Sequence, residues 1–576
     1  MAELILREET TSTGSEDFKR NRMDGKRYID KTALLVPLLN GDHESTFFLR
    51  PRRFGKTLTL SMIRYFVEDT RNPELNEENR SLFQGLRIME MGEKYTSQMT
   101  SYPVIHLTLQ TASGDHFEDA FQSVKLLIQK AYGDKIYLLR SERLLQHDKL
   151  YFQRILLGSD DQGQEATIAD YRISLKRLTE FLCMDSGTRA VVLLDEYDVP
   201  LEKAYQNGYY REMVGLIGPM LQNVLKTNSE NLQFAVITGC LRIAKEGIYT
   251  GLNNPEINTV YSDRLSDAIG FTEPEVQKLL ADSGFPDHYQ EVKEWYDGYR
   301  FGETVIYNPW SVIKYIEDLT ANPRRTPLLY WANTSSNSIV RELADHADDA
   351  TREKAEKLVQ GEEITFALKD DIVYNNLFTD PDNVFNVMLA AGYLTAVSSD
   401  AKEIRARVPN REVQMIYKSK FAEWFRESIL TFDIQELYRM MEQGNAERME
   451  EILTERFLAS MSYYDTAEAF YHGVLLALMQ LNTSFVCVSN RESGKGRFDI
   501  QCKRRAGRDL AFILEIKIVK RARDMIASSE RAVEQVRNKR YASELEREGY
   551  RKILTYGISF CQKTCRITQG KTYGSQ

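Results

Sequence analysis

Residues 46–66, TFFLRPRRFGKTLTLSMIRYF, read as a short apolar strand, a loop and a helix, with Gly55-Lys56-Thr57 at the helix start. This order narrows the fold sharply, because it demands a strand whose C-terminal end opens directly onto a helix N-terminus. Free backbone N–H groups at such a terminus favour an anion; a lysine can reach the β- and γ-phosphates of a nucleotide, and a threonine hydroxyl suits Mg²⁺. The GxxxxGK[ST] pattern is incomplete, since Arg50 stands where its first glycine falls and Pro51, Arg52 and Arg53 follow. Either these arginines contact phosphates, with Arg53 as the candidate, or they are solvated loop charges.

A second apolar run, AVVLLDEYDVPL, ends in Asp195-Glu196. An acid at a strand end can hold Mg²⁺ through water, and a neighbouring glutamate can polarise an attacking water. A further run, QFAVITG, brings Thr238 to a strand end, where a polar sensor of the γ-phosphate would sit, and Arg242 follows as a candidate charge-stabilising arginine. From Phe18 to about Asn254, β-type runs alternate with helical stretches such as DAFQSVKLLIQKAY. That is the pattern of a parallel sheet covered by helices.

The remainder divides in two. From Phe271 to about Met440 the signals are mainly helical, with a capping-like start at Thr272-Glu273-Pro274-Glu275 and turns at Asn308-Pro309 and Ala321-Asn322-Pro323. After it, EAFYHGVLLALMQL reads as a helix leading into strands. Along LAFILEIKI, alternation puts Glu515 and Lys517 on one face, and the turn Arg505–Asp509 lets residues 497–502 fold back as a partner strand carrying Asp499. Two carboxylates and an ammonium then either form a metal site or decorate an ordinary charged hairpin. The expected class is α/β, with a flexible leader (1–17), a phosphate-loop domain (18–260), a helical middle region (261–440) and a third, α/β domain (441–576).

A chain of 576 residues exceeds a single core. The net charge of −9 excludes a wholly basic nucleic-acid binder, yet residues 491–576 hold 21 Lys or Arg against 10 Asp or Glu. An anionic polymer should therefore meet the C-terminal end. The six cysteines are scattered without a CxxC pair, so neither a disulfide framework nor a zinc ribbon is indicated, and a reducing compartment is the plain reading. The polar, acidic N-terminus and the lack of an apolar run of spanning length predict a cytoplasmic protein with no membrane partner. His472 is read as packed or capping, Cys561 and Cys565 as core, and Trp295, Tyr296, Trp310 and Trp331 as aromatic packing.

Taken together, FFLRPRRFGKTL, VVLLDEYDVPL, VITGCLRIAKEGIYTGLNN, WYDGYRF with YNPWS, YWANTS, and GKGRFDI with LEIK resemble a bacterial family that fuses an AAA-ATPase-like domain to a PD-(D/E)XK nuclease-superfamily domain. The missing first glycine is usual in that family. The resemblance implies ATP and Mg²⁺ as cofactors, with Arg53, Gly55, Lys56, Thr57, Asp195 and Thr238 at the nucleotide, Thr57 and Asp195 toward its metal, and Glu196 catalytic. It implies a second Mg²⁺ site on Asp499 and Glu515, with Lys517 placing the water or stabilising charge. Glu468 matches the upstream acid, Gln535 a residue facing the site, Tyr541 a position on the same helix, and Tyr28–Thr32 the adenine end of the nucleotide pocket. The implied activity is an ATPase with a metal-dependent nuclease acting on nucleic acid, DNA favoured. The other reading is a nucleotide-dependent switch or scaffold whose terminal domain binds without cutting. Assembly as a homo-oligomer is borrowed from the AAA resemblance alone.

Overall fold

The computed structural model describes residues 10–11, 15–242, 255–331, 351, 354–355, 357–358, 361–369, 380–400, 402–417, 434–454, 468–489, 492–493, 496–497, 499–561 and 564–574. It divides into two compact units, residues 1–351 with 357–417, and residues 352–356 with 418–576. Of the middle region expected over 261–440, residues 261–351 and 357–417 lie in the first unit, and residues 352–356 and 418–440 in the second. Of the leader, Ser15 is hydrogen-bonded to Asn21, and Asp17 caps the helix Phe18–Met23.

In the first unit, β1 (Ser45–Leu49), β2 (Val104–Thr108), β3 (Ala190–Asp195), β4 (Leu232–Gly239) and β5 (Glu256–Asn258) form one sheet in the order β2-β3-β4-β1-β5. All pairings are parallel. Helices α1 (Lys56–Val67), α2 (Ile168–Ser186) and α3 (Tyr210–Lys226) pack on it. β3 is buried along its whole length, as its unbroken apolar run requires for an inner parallel strand. Because β4 separates β1 from β3, the C-terminal ends of the three strands lie side by side, and they carry the loop after Leu49, Gly239 and Asp195.

Among the described residues, the rest of this unit is helical with two small antiparallel sheets. β6 (Phe271–Thr272), β7 (Tyr299–Phe301) and β8 (Thr304–Tyr307) run in the order β6-β8-β7; β9 (Ile364–Ala367), β10 (Thr395–Ser399) and β11 (Glu403–Arg407) run in the order β10-β11-β9. Helix α4 (Glu273–Asp282) starts at the expected capping box of Thr272 and Glu275. Asn308-Pro309, read as a turn, instead starts α5 (Pro309–Ala321): Asn308 Oδ1 accepts the Trp310 N–H at 3.0 Å and that of Ser311 at 3.4 Å. Helix α6 (Pro381–Ala391) also belongs to this region. Tyr296 and Trp331 are buried, in keeping with their reading as packing residues.

Glu412 is fully enclosed here, where it accepts the Ser311 hydroxyl and the Trp331 backbone N–H, each at 2.8 Å. Burial pushes its carboxyl from 4.5 up to about 7, against the pull of those hydrogen bonds. Between these two values the folded protein keeps a proton that the unfolded chain releases. Stability therefore falls as pH rises through that window, by about 3 kcal/mol in all, and is flat on either side. Glu412→Gln is expected to flatten this segment, raising the urea midpoint above that of the parent at pH 8 while matching it near pH 4.5. Superimposable pH profiles for the two proteins would refute it.

In the second unit, β12 (Phe485–Ser489), β15 (Ile500–Arg504), β16 (Leu510–Ile518), β17 (Lys552–Cys561) and β18 (Thr564–Gln569) form a mixed sheet in that order, and β13 (Glu492–Ser493) pairs with β14 (Gly496–Arg497). Only β16 and β17 are parallel within the mixed sheet, and the helix that their connection needs is present after β16. Leu510, Phe512, Leu514 and Ile516 face one core with residues of α7 (Ile434–Gln443) and α8 (Glu468–Gln480). Ala511 and Ile513 face the opposite core with Val536 of α9 (Met525–Lys539) and with Tyr541. Strict alternation therefore carries Glu515 and Lys517 to the α9 side.

Two expectations are corrected. Asp499 does not lie within a strand, because β15 begins at Ile500 and its ladder with β16 stops at Ile500↔Leu514. The Ile516 N–H beyond that point is taken instead by the Asp499 carboxylate at 2.7 Å. Second, Cys487 and Cys502, 15 positions apart, form a disulfide, because the β12–β15 register sets them opposite one another with Cα atoms 4.1 Å apart. Register, not spacing, makes that pair. Cys561 and Cys565 are free and buried, as read.

Gly557 lies beside Glu515 in the β16–β17 register. A Cβ there would run into the Ser529 carbonyl and sit 2.9 Å from Ala532 Cβ, so α9 rests directly on the β17 backbone. Gly557→Ala is expected to cost about 2 kcal/mol and to lift α9 off the sheet. An unchanged urea midpoint would contradict this.

Candidate functional site

The phosphate-type loop runs from the end of β1 to α1. Arg53 (φ 71°) and Gly55 (φ 96°) are left-handed on either side of Phe54, an alternation that turns successive backbone N–H groups to one side. Lys56 is buried, and its Nζ donates to the Arg50 and Pro51 carbonyls at 3.0 and 3.3 Å, while Glu196 Oε1 lies 3.2 Å away. Burial alone would lower the Lys56 ammonium, but Cys240, Glu196, Asp198 and Asp195 around it raise it above the usual lysine value.

Asp195, Thr57 and Thr238 converge as the sequence suggests. The Thr57 hydroxyl donates to Asp195 Oδ2 at 2.7 Å, and the Thr238 hydroxyl donates to Asp195 Oδ1. Thr238 Oγ1 also accepts the Glu196 N–H at 3.3 Å, so one side chain fixes both acids. Burial, and then Glu196, raises Asp195, while the two threonine hydrogen bonds oppose the rise. Glu196 has φ 52°, a left-handed conformation uncommon for a glutamate, and its Oε2 is buried without a hydrogen-bond partner.

The arginines follow neither of the two readings uniformly. Arg50 is fully buried and donates to the Asn258 carbonyl at 2.9 Å, and burial pulls it down to about 9. Arg52 pairs with Glu202 at 2.5 Å. Arg53 lies over the Trp310 ring, 4.6 Å from its centroid. Arg242 lines a small cavity with Leu49, Cys240, Thr259 and Lys369. Tyr28, placed by resemblance near an adenine, packs edge-on against Phe18, and Lys31 is tied to Glu275 at 2.7 Å.

Asp198 was not singled out from the sequence. It is buried and accepts the N–H groups of Cys240 and Leu241, both at 2.8 Å, so it shapes the turn after β4. The one available signal was its position as the last acid of DEYD.

The second site forms where β16 runs past the end of β15. Glu515 is 1% exposed, and its Oε1 takes Lys517 Nζ at 3.0 Å and the Gln535 amide. Its Oε2 is buried with no hydrogen-bond partner. Burial, reinforced by the Asp499 carboxylate, pushes Glu515 up to about 7, and Lys517 opposes the rise. His472 on α8 contacts the Asp499 backbone carbonyl at 2.8 Å, a bracing role in keeping with its reading as a packed residue. Tyr541, expected on the same helix as Gln535, instead follows the end of α9 at Lys539 and is buried beside Gln535. Glu468 opens α8, but its side chain lies outside the described residues. An orphaned carboxylate oxygen next to a second carboxylate is a donor set that fits a divalent cation of the Mg²⁺ type.

With this geometry in hand, two family models match the chain. Residues 12–249 match a family described as a predicted AAA-ATPase, and residues 466–570 match the PD-(D/E)XK nuclease superfamily. The chain joins an AAA-ATPase-like domain to a PD-(D/E)XK nuclease-superfamily domain. It is also similar to an uncharacterized protein in the vnfD 5′ region of Azotobacter chroococcum mcd 1, with 26% identity over 399 residues. That match covers 68% of this chain and 65% of the relative, so the chain spans somewhat under two thirds of the relative's length. Among the described residues, no helix is long and apolar enough to cross a membrane.

Proposed function

We propose that the protein binds and hydrolyses ATP and carries a Mg²⁺-dependent nuclease that cuts DNA under nucleotide control. The observation that carries this reading is the Glu515 site: a buried carboxylate with one orphaned oxygen, flanked by Asp499 and Lys517. Mg²⁺ held by Asp499 and Glu515 would neutralise the scissile phosphate and activate water. Lys517 supplies a fixed positive charge beside it, and Gln535 with the Ile516 N–H orients the two carboxylates. The basic excess in residues 491–576 favours a polyanionic substrate.

In the nucleotide site, Lys56 and the loop N–H groups would receive phosphates, with Thr57 and Asp195 toward the metal and Glu196 toward the attacking water. Phosphate oxygens would replace Glu196 at the Lys56 ammonium, releasing Glu196 for that task. A cytoplasmic setting and assembly as a homo-oligomer complete the reading; the disulfide is enclosed in the core, with Cys502 fully buried.

A second reading, a nucleotide-dependent switch or scaffold whose nuclease-like domain only binds nucleic acid or a protein, is favoured by one feature. Lys517 and Gln535 already occupy Glu515 Oε1, so protein groups close part of that site. Labelled single- and double-stranded DNA and RNA, incubated with Mg²⁺ or Mn²⁺ with and without ATP, separate the readings. Metal-dependent cutting of DNA that responds to ATP supports the first. ATP hydrolysis with every substrate intact supports the second.

A further inference from the structure

Residues 50–54 of the phosphate-type loop are each in contact with the region between residues 258 and 417. Arg50 lies over the Phe301 ring at 4.6 Å, Arg53 over Trp310, and Phe54 packs edge-on against Tyr299 at 4.9 Å. Gly392, with φ 88°, abuts Pro51; a Cβ there would lie 2.8 Å from the proline Cβ. The Trp331 indole N–H donates to the Arg52 carbonyl at 3.3 Å. A trans peptide is planar with its C=O and N–H opposed, so pinning the Arg52 carbonyl sets the direction of the Arg53 N–H, a loop donor.

Trp331 is itself built in. Its backbone N–H is fixed by Glu412, and its ring packs against Tyr393 with centroids 4.8 Å apart. Tyr393, adjacent to Gly392, meets the Tyr417 ring at 6.3 Å, and the Tyr417 hydroxyl donates back to the Tyr393 carbonyl at 3.4 Å. Tyr417 is the last residue of the first unit, where the chain passes into the second.

We propose that Trp331 is a positioning residue for the nucleotide, orienting the Arg52–Arg53 peptide, and that the Trp331–Tyr393–Tyr417 ladder carries the loop's conformation to the junction at 417–418. The inference rests on the nucleotide-site reading above. Contiguous packed side chains and hydrogen bonds of this kind are the physical carriers of such coupling.

The test uses the full chain labelled with 5-fluorotryptophan, whose four tryptophans give separate ¹⁹F resonances; Trp331→Phe identifies one of them while keeping the ring contact with Tyr393. Binding of a non-hydrolysable ATP analogue with Mg²⁺ is measured by calorimetry, and amide hydrogen exchange is followed over residues 411–417. In the parent, the Trp331 resonance should shift at saturation and exchange over 411–417 should change. In Trp331→Phe, affinity should fall by roughly tenfold and the exchange response should disappear. A stationary Trp331 resonance at proven saturation overturns the proposal, as does an undiminished exchange response in the variant. Absence of binding in the parent overturns the nucleotide-site reading, and this inference with it. Gly392→Ala, which crowds Pro51 from the other side, should also weaken binding; parental affinity there would likewise count against the proposal.

Discussion

Lys517→Ala is expected to lower metal-dependent cleavage of DNA by about a hundredfold to a thousandfold in a protein that remains folded. A fixed donor or charge aimed at developing negative charge is commonly worth about 10²–10³ in rate, and Lys517 is also the cation that sits against Glu515 at 3.0 Å. Its side chain is about one quarter exposed, at 28%, so truncation opens no core cavity. Glu515→Gln should abolish cleavage as fully, but for another reason: it removes the buried negative charge that a cation would neutralise. Single-turnover cleavage of a labelled duplex by both variants is the check, and parental rates in either would remove the site assigned to Asp499, Glu515 and Lys517.

Lys56→Ala is expected to weaken ATP binding by at least about a hundredfold, since a charge-assisted hydrogen bond is worth roughly 1.5–3 kcal/mol and the ammonium serves several acceptors. It should also destabilise the first unit, because Asp195, Glu196 and Asp198 would lose the cation buried among them. Leaving such charges uncompensated costs about 3 kcal/mol or more. The destabilisation should be larger at pH 8 than at pH 5, since burial already raises Asp195 and Asp198 and protonation relieves them first. Calorimetric titration with ATP at a pH where the variant remains folded decides the matter. Binding within a few-fold of the parent would show that Lys56 serves the loop alone, through the Arg50 and Pro51 carbonyls.

Much of the fold was legible because local patterns and global arrangement agree. AVVLLD reads as a buried strand of the parallel sheet, and LAFILEIKI declared by alternation that Glu515 and Lys517 share a face. The Thr272 cap was visible in four residues. Other features had no local signal. Asn308-Pro309 reads equally as a turn or a helix start until the Trp310 N–H is seen to need an acceptor. Asp499 reads as a strand residue, because nothing nearby shows that the β15 ladder ends one residue later. Arg50 reads equally as a phosphate contact or a loop charge, because the Asn258 and Leu265 carbonyls that receive it lie more than 200 positions away.

The sequence by itself therefore determined which chemical groups exist and which face or strand end carries each one: a lysine and a threonine at a helix start, acids at the ends of β3 and beside β15, a glutamate and a lysine two apart on β16. Tertiary structure decided what surrounds them. It joined Thr57 to Thr238 through Asp195, turned Lys56 toward Glu196, paired Cys487 with Cys502, and buried Glu515 with one oxygen unmatched. Side-chain direction follows from backbone periodicity and is local. Burial, register and charge environment depend on residues brought together from far along the chain, and they exist only once the chain has folded.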